Sequence, residues 1–278
     1  MNEVLPKNVP IRFAATVMLI DDRPDLQVFM MQRNAKTVFA GGMWVFPGGA
    51  VDDTDQPELF ESISTHRNDL DASKLLGLDR GGLSFYVAAI REAFEEAGVL
   101  LALHKEDHRN LEIRNDQDKA RYDIYRDQVN ADSEYFIKLI EKEQLILDVG
   151  QMHYVARWIT PEGPPRRFDA RFFISRMPSF QTPVHDDSEL VHSAWFSPKD
   201  ILDKFDQGEM VLMSPTLRMV RNLAQFTSAN EAIKSAAQNM PSERARINDK
   251  REILLPGDAG YEHGEENAEF GWVSLRPS

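Results

Sequence analysis

The eight residues Arg91-Glu92-Ala93-Phe94-Glu95-Glu96-Ala97-Gly98 decide how this chain is read, because they set three carboxylates at positions i, i+3 and i+4. On an α-helix those positions share one face, where oxygen ligands for a hard divalent cation can gather. Three anions this close repel one another about as strongly as helical ion pairs attract, so the pattern is unfavourable unless positive charge sits among them. Arg91, one turn before Glu95, supplies some of that charge. A solvated acidic surface has the same spacing, but the flanks weigh against it. Upstream, Trp44-Val45-Phe46-Pro47-Gly48-Gly49 is a short apolar strand running into a Pro-Gly-Gly turn, where bare backbone can approach a ligand. Downstream, Gly98 stops the helix and Val99-Leu100-Leu101-Ala102-Leu103 is an apolar run.

Taken with these flanks, the octet resembles the Nudix hydrolase signature, G-x5-E-x7-R-E-U-x-E-E-x-G-U, in which U is aliphatic. Arg91, Glu92, Glu95, Glu96, Gly98 and Val99 stand in register, and Ala93 is a small substitute at the U position. The first half departs from the pattern. Gly49 lies 42 positions before Arg91 instead of 14, so about 28 residues are inserted, and counting back from Arg91 puts Leu83 at the early Glu. A split box with FPGGAVDDTD (46–55) before the insertion and VAAIREAFEEAGVLLA (87–102) after it is similar to one branch, the peroxisomal-type coenzyme A diphosphatases and their bacterial relatives. Phe29 to Arg33, Trp158 to Glu162, Arg167 to Phe173 and Pro215-Thr216 extend the likeness over roughly residues 10 to 225.

That resemblance implies an α/β fold, a Nudix-type α/β/α sandwich with a mixed sheet and helical insertions. The domain is expected over residues 1–225, with insertions at about 53–82 and 104–148, and a C-terminal extension, 226–278, partly docked on it. The implied activity is Mg²⁺-dependent hydrolysis of coenzyme A or acyl-coenzyme A at the pyrophosphate, giving 3′,5′-ADP and a 4′-phosphopantetheine species. By the same resemblance Glu92, Glu95 and Glu96 hold Mg²⁺ or Mn²⁺, the Gly49 carbonyl adds a ligand, and Arg91 orients the carboxylates. Two other functions stay open: the same chemistry on NADH, ADP-ribose or another nucleoside diphosphate derivative, and a Nudix-like sensor that binds a nucleotide without cleaving it.

Other candidates come from their residue types. Glu189, after Asp186-Asp187, is the candidate for an extra carboxylate that takes a proton from water. Arg33, Arg167 and Arg171 are candidates for substrate phosphates, since a guanidinium matches phosphate oxygens as a fork. Asp52, Asp53 and Asp55 follow the Pro-Gly-Gly turn and read as loop residues or as substitutes for the missing early Glu.

Composition narrows the setting. The chain of 278 residues, 42% hydrophobic, can fill one large core. It contains no cysteine, which excludes a disulfide framework and thiolate chemistry and suits the cytoplasm. A net charge of −13 without a Lys/Arg run argues against nucleic acid, so an anionic substrate must be recruited locally. No apolar stretch approaches the roughly 20 residues needed to span a bilayer. The expected partner is a small nucleotide, with neither nucleic acid nor membrane, and a homodimer is a possible assembly.

Along the chain, Ala14 to Ile20 and Gln27 to Gln32 predict a hairpin, and Leu59 to Ile63 a short helix. Ser84 is expected to cap the signature helix, and Tyr135, Phe136, Leu139 and Ile140 mark a helical face. Strands return at His153 to Thr160, Ala170 to Ser175 and Ser193 to Phe196. Ser197-Pro198 and Ser214-Pro215 each place a hydroxyl at an N-cap and proline in the first turn. Residues 227–250 read as a loose helix or linker, and Ile253 to Pro256 as an edge strand of a tail that docks.

Overall fold

Strand β1 (Ile11–Asp22) buries both of its faces: Ala15, Val17 and Leu19 enter one apolar cluster, Met18 and Ile20 the other. The same alternation holds in β2 (Leu26–Arg33), with Phe29 and Met31 on the first side and Val28 and Met30 on the second. A strand apolar on both faces belongs at the centre of a covered sheet, and there β1 lies. The computed structural model describes residues 9–277 apart from 38–39, 163, 187–189, 239–242, 251–252, 255–257 and 267–270.

The chain continues through β3 (Trp44–Val45), β4 (Gly48–Ala50), α1 (Pro57–Phe60), α2 (Asp69–Leu76), α3 (Gly82–Ala97), β5 (Ala102–His104), α4 (Asp116–Ala131), α5 (Tyr135–Lys142) and β6 (Leu145–Leu147). Then follow β7 (His153–Ile159), β8 (Arg167–Arg176), β9 (Leu190–Phe196), α6 (Pro198–Asp206), α7 (Ser214–Leu223) and α8 (Ala229–Ala237). The last elements are β10 (Glu243–Arg244), β11 (Arg246–Ile247), β12 (Ile253–Leu254), β13 (Glu265–Glu266) and β14 (Gly271–Val273).

A nine-stranded sheet runs in the order β10-β14-β7-β8-β1-β2-β3, with β4 paired to β1 and β9 to β2. Its β1–β8 pair is parallel and the others are antiparallel, so the sheet is mixed. One face carries the cluster built on α3, and the other carries buried residues of α6, α7 and α8. The result is the expected α/β/α sandwich.

Two local readings change, at the caps of α3 and α7, and two are made specific. Ser84 lies inside α3, whose N-cap is Gly81 in the left-handed conformation (φ +80°). The free amides of that first turn are satisfied from α2 instead: Asp69 accepts from Gly81 (2.9 Å) and Leu83 (2.9 Å), and the Ser73 hydroxyl accepts from Gly82 (2.8 Å). Helix α7 begins one residue early, with Met213 as its N-cap and Ser214 already in the first turn, whereas Ser197 does cap α6 by accepting from Asp200. Of the two readings of residues 227–250, the helix holds for 229–237. They form α8, capped by Ser228, whose Ala229, Ala232 and Ala236 pack on the sheet because small side chains allow close approach. Ile253–Leu254 is an edge strand, but of a small three-stranded sheet with β11 and β13, while β14 is the tail's strand on β7 of the main sheet.

His153, at the start of β7, gives the fold a pH dependence. Burial, with the Arg67 guanidinium nearby, pushes its imidazole down to about 4, so the folded protein holds it neutral while an unfolded chain protonates it near 6.5. Its contribution is therefore present above the unfolded value and lost as pH falls from about 6.5 towards 4. Because the ring is partly exposed, the loss should be about 1–3 kcal/mol. Urea unfolding at pH 7 and pH 4.5 should show this decrement in the wild type and a smaller one in His153→Gln. An equal decrement in both would assign the acid sensitivity elsewhere.

Candidate active site

Helix α3 turns Leu83, Tyr86, Val87, Ile90, Ala93, Phe94 and Ala97 into the core, and Glu92, Glu95 and Glu96 share the half-buried remainder. It ends where expected, at Gly98 (φ +66°), with Gly98 N–H donating to the Phe94 carbonyl (2.9 Å) and Val99 N–H to Ala93 (3.1 Å). Antiparallel pairing of β4 with β1, Gly49 opposite Ala15, lays the Pro-Gly-Gly turn along this helix. Gly48 N–H donates to Glu96 Oε2 (2.9 Å). A Cβ at Gly49 would stand 2.4 Å from Glu92 Oε1, so any larger residue there would push this carboxylate aside.

Arg91 joins the parts. It is 3% exposed, its Nε and Nη2 fork onto Asp55 (2.9 and 3.0 Å), Nη2 also donates to the Ala50 carbonyl (2.9 Å), and Nη1 reaches Glu92 (3.1 Å) and Glu95 (3.0 Å). Asp55, itself buried, accepts from Asp52 N–H (2.8 Å). This corrects the reading of Leu83 as the early acidic position: Leu83 is a fully buried apolar residue, and Asp55 holds the place. Asp55 stands six residues after Gly49, where G-x5-E puts its acid, so counting forward from Gly49 finds it. Between Asp55 and Arg91 lie 35 residues, where the pattern has seven.

The electrostatics favour a bound cation. Burial pushes the Glu92 carboxyl up to about 8, with Arg91 opposing and Glu96 and Glu95 adding to the rise. Burial likewise raises Glu95 and Asp55 against the pull of Arg91. Burial would lower Arg91, but Asp55, Glu92 and Glu95 hold it far above its ordinary value, so it stays charged. Arg33 Nη1 lies 3.8 Å from Glu96 Oε1. Among the described residues no three acidic or imidazole side chains already converge on one point as a cation site requires. The donor set nevertheless fits a hard divalent ion: all oxygen, in excess over the local guanidiniums, and reluctant to ionise without further positive charge.

The remaining candidates separate. The structure brings Arg33 to the cluster and leaves Arg171 out. Arg171 is completely buried, paired with Asp169 (2.7 Å) and stacked over Phe85 (4.4 Å to the ring centre), so its guanidinium is part of the packing between sheet and α3 and is not available to a phosphate. Arg167, four residues earlier on β8, donates from Nε to the Thr160 carbonyl (3.0 Å) and closes the β7–β8 turn; no contact among the described residues links it to the cluster. Glu189 lies outside the described residues. Sequence reading passes over Arg126, on α4, whose Nε donates to the Glu95 carbonyl (2.7 Å) across 31 positions. A cavity of about 660 Å³ beside Asp21, His66 and Asp148 includes none of these carboxylates.

Known proteins resemble this chain at the level of a family model, of relatives and of a solved structure. A family model described as the NUDT19 Nudix domain matches residues 71–223, taking in α3 but not Gly49 or Asp55. The chain is 26% identical over 238 residues to acyl-coenzyme A diphosphatase NUDT19 of Xenopus laevis, covering 76% of this chain and 63% of that protein. It is 28% identical over 243 residues to acyl-coenzyme A diphosphatase NUDT19 of Homo sapiens, covering 75% and 63%. The chain thus spans just under two thirds of the length of these two relatives. Among solved structures, that of a NUDIX hydrolase from Alicyclobacillus acidocaldarius superposes with a TM-score of 0.67 at 26% identity, over 81% of this chain and 96% of that one.

Proposed function

The chain belongs to the NUDT19 Nudix domain family, and from that premise we propose that it is a divalent-metal-dependent diphosphatase that hydrolyses coenzyme A or acyl-coenzyme A at the pyrophosphate. The products are 3′,5′-ADP and (acyl-)4′-phosphopantetheine. The observation that carries this reading is the constellation itself: Glu92 and Glu96 packed on the Gly48-Gly49 turn, Glu95 bonded to Arg91 beside them, and Arg91 locked to Asp55. A protein that only bound a nucleotide would have no need of three half-buried carboxylates at this electrostatic cost.

The phosphorus of a phosphoanhydride is shielded by negative oxygens, so its hydrolysis demands charge neutralisation and an activated water. When bound, Mg²⁺ or Mn²⁺ supplies both. Glu92, Glu95 and Glu96, with the Gly49 carbonyl, would hold it. Arg91 offsets the repulsion between the Glu92 and Glu95 carboxylates by donating from Nη1 to one oxygen of each, and Asp55 anchors the other side of its guanidinium. Arg33 is the arginine assigned to a substrate phosphate oxygen, and its position 3.8 Å from Glu96 supports that role. Glu189 is the carboxylate assigned to the proton of water. In support, Asp186 N–H donates to the Glu96 carbonyl (3.0 Å), so the chain passes the end of α3 three residues earlier.

Among the described residues no helix is long and apolar enough to cross a membrane. A cytoplasmic setting and a homodimer belong to the proposal, and the lack of cysteine fits the first. Exhaustive chelation should abolish hydrolysis while the far-ultraviolet circular dichroism stays unchanged, because the core does not depend on the ion, and added Mg²⁺ or Mn²⁺ should restore turnover. Hydrolysis that survives chelation would refute the metal assignment.

A further inference from the structure

The last carbonyls of a helix have no partner within it and must find one elsewhere. In α3 the accounting is complete and specific. Glu96 is bonded by Asp186 N–H (3.0 Å) and Ala97 by Val184 N–H (2.9 Å), both from the loop before β9. Glu95 is bonded by Arg126 Nε (2.7 Å), a side chain of α4 in the helical insertion. The guanidinium is seated on Gly98, its Nη1 3.3 Å and Cζ 3.7 Å from where a Cβ would stand, so the helix stop also makes room for it. It thereby sets a positive group against the negative end of the helix dipole.

The insertion touches the site at a second place. Ser133, just past α4, donates to Asp52 Oδ2 (3.0 Å) and accepts from the Thr54 hydroxyl (2.9 Å). That turn contains Asp55, the anchor of Arg91. The stretch from Arg126 to Ser133 therefore grips both supports of the carboxylates, the last turn of α3 and the turn behind Arg91.

We propose that Arg126 is a positioning residue for the metal site: by holding the Glu95 carbonyl it fixes the last turn of α3, and with it the spacing of the Glu95 and Glu96 carboxylates. The inference rests on the reading of α3 as the metal-binding helix. It predicts an effect opposite in sign to simple electrostatics. Removing a cation beside an acidic cluster should tighten cation binding by charge alone, whereas loss of a group that orients metal ligands weakens it, commonly 10- to 100-fold.

The test is Mn²⁺ binding to the full chain, without substrate, by calorimetry and by the electron paramagnetic resonance signal of free Mn²⁺. Arg126→Met should weaken binding roughly tenfold or more, and Arg126→Lys, which keeps the charge and a donor, should recover part of the loss. Unchanged or tighter binding in Arg126→Met overturns the proposal. If Arg126→Met does not fold, Arg126→Lys decides: weaker binding than wild type supports it, and wild-type binding overturns it. Glu95→Gln is the control that separates the two claims. If it weakens Mn²⁺ binding while the Arg126 variants do not, only the role of Arg126 fails; if it too binds normally, the metal reading of α3 fails first.

Discussion

Glu95→Gln and Glu96→Gln should each lower kcat by roughly 100-fold or more, the scale expected when a preorganised electrostatic group is removed from a reacting centre. The fold should survive both changes. Glutamine keeps the shape of the side chain, and at position 96 its carbonyl can still accept from Gly48 N–H. Burial makes the Glu95 carboxylate hard to ionise in the folded state, so a neutral group there should leave the protein at least as stable near pH 8. Steady-state kinetics at saturating Mg²⁺, read beside thermal unfolding, gives the answer. Near-normal kcat in both variants would make this face a solvated surface and nothing more.

Asp55→Ala should reduce stability by about 3–5 kcal/mol, because it leaves the Arg91 guanidinium buried without its main partner. Arg91→Met should do the same from the other side. Burial opposes the charge on both partners, so the pair is not expected to be a large net source of stability even though each holds the other in place. The double variant Asp55→Ala/Arg91→Met should therefore lose clearly less than the sum of the single losses. Urea denaturation of the four proteins measures this. A single-variant loss below about 1 kcal/mol would mean that the pair is better solvated than its geometry indicates. Were Asp55 a metal ligand, Asp55→Asn would depress Mn²⁺ affinity as far as Glu95→Gln does; as the anchor of Arg91 it should depress it less.

Where one physical period governed a segment, the sequence was legible. The β1–β2 hairpin, α3 and the strands β7 to β9 follow from apolar alternation, helical spacing and a glycine stop, all local signals. Glu92 meets Gly49 and Glu96 meets Gly48 because a short turn and one helix face suffice to define them. A simple alternation places Arg171 in the packing: Asp169, Arg171 and Phe173 share one face of β8, and the buried Phe173 marks that face as core. Counting backwards from Arg91 passes over Asp55, because 35 residues and not seven lie between them. The caps on α3 from Asp69 and Ser73, and the bond from Arg126, left no local trace, since each joins residues far apart in sequence whose types are ordinary surface types.

The substrate tests the account most directly. Coenzyme A carries a 3′-phosphate that an acidic chain would bind poorly without groups placed for it. With Arg171 buried and Arg167 engaged in its turn, Arg33 is the guanidinium among the three candidates that the structure brings to the cluster. The decisive measurement is kcat/KM for coenzyme A, its 3′-dephospho form, NADH and ADP-ribose under one Mg²⁺ concentration, with products identified by mass spectrometry, since that ratio reports differential transition-state binding. The expected result is the highest kcat/KM for coenzyme A, with 3′,5′-ADP and 4′-phosphopantetheine as products. NADH or ADP-ribose as the best substrate, with coenzyme A turned over negligibly, would contradict the coenzyme A assignment.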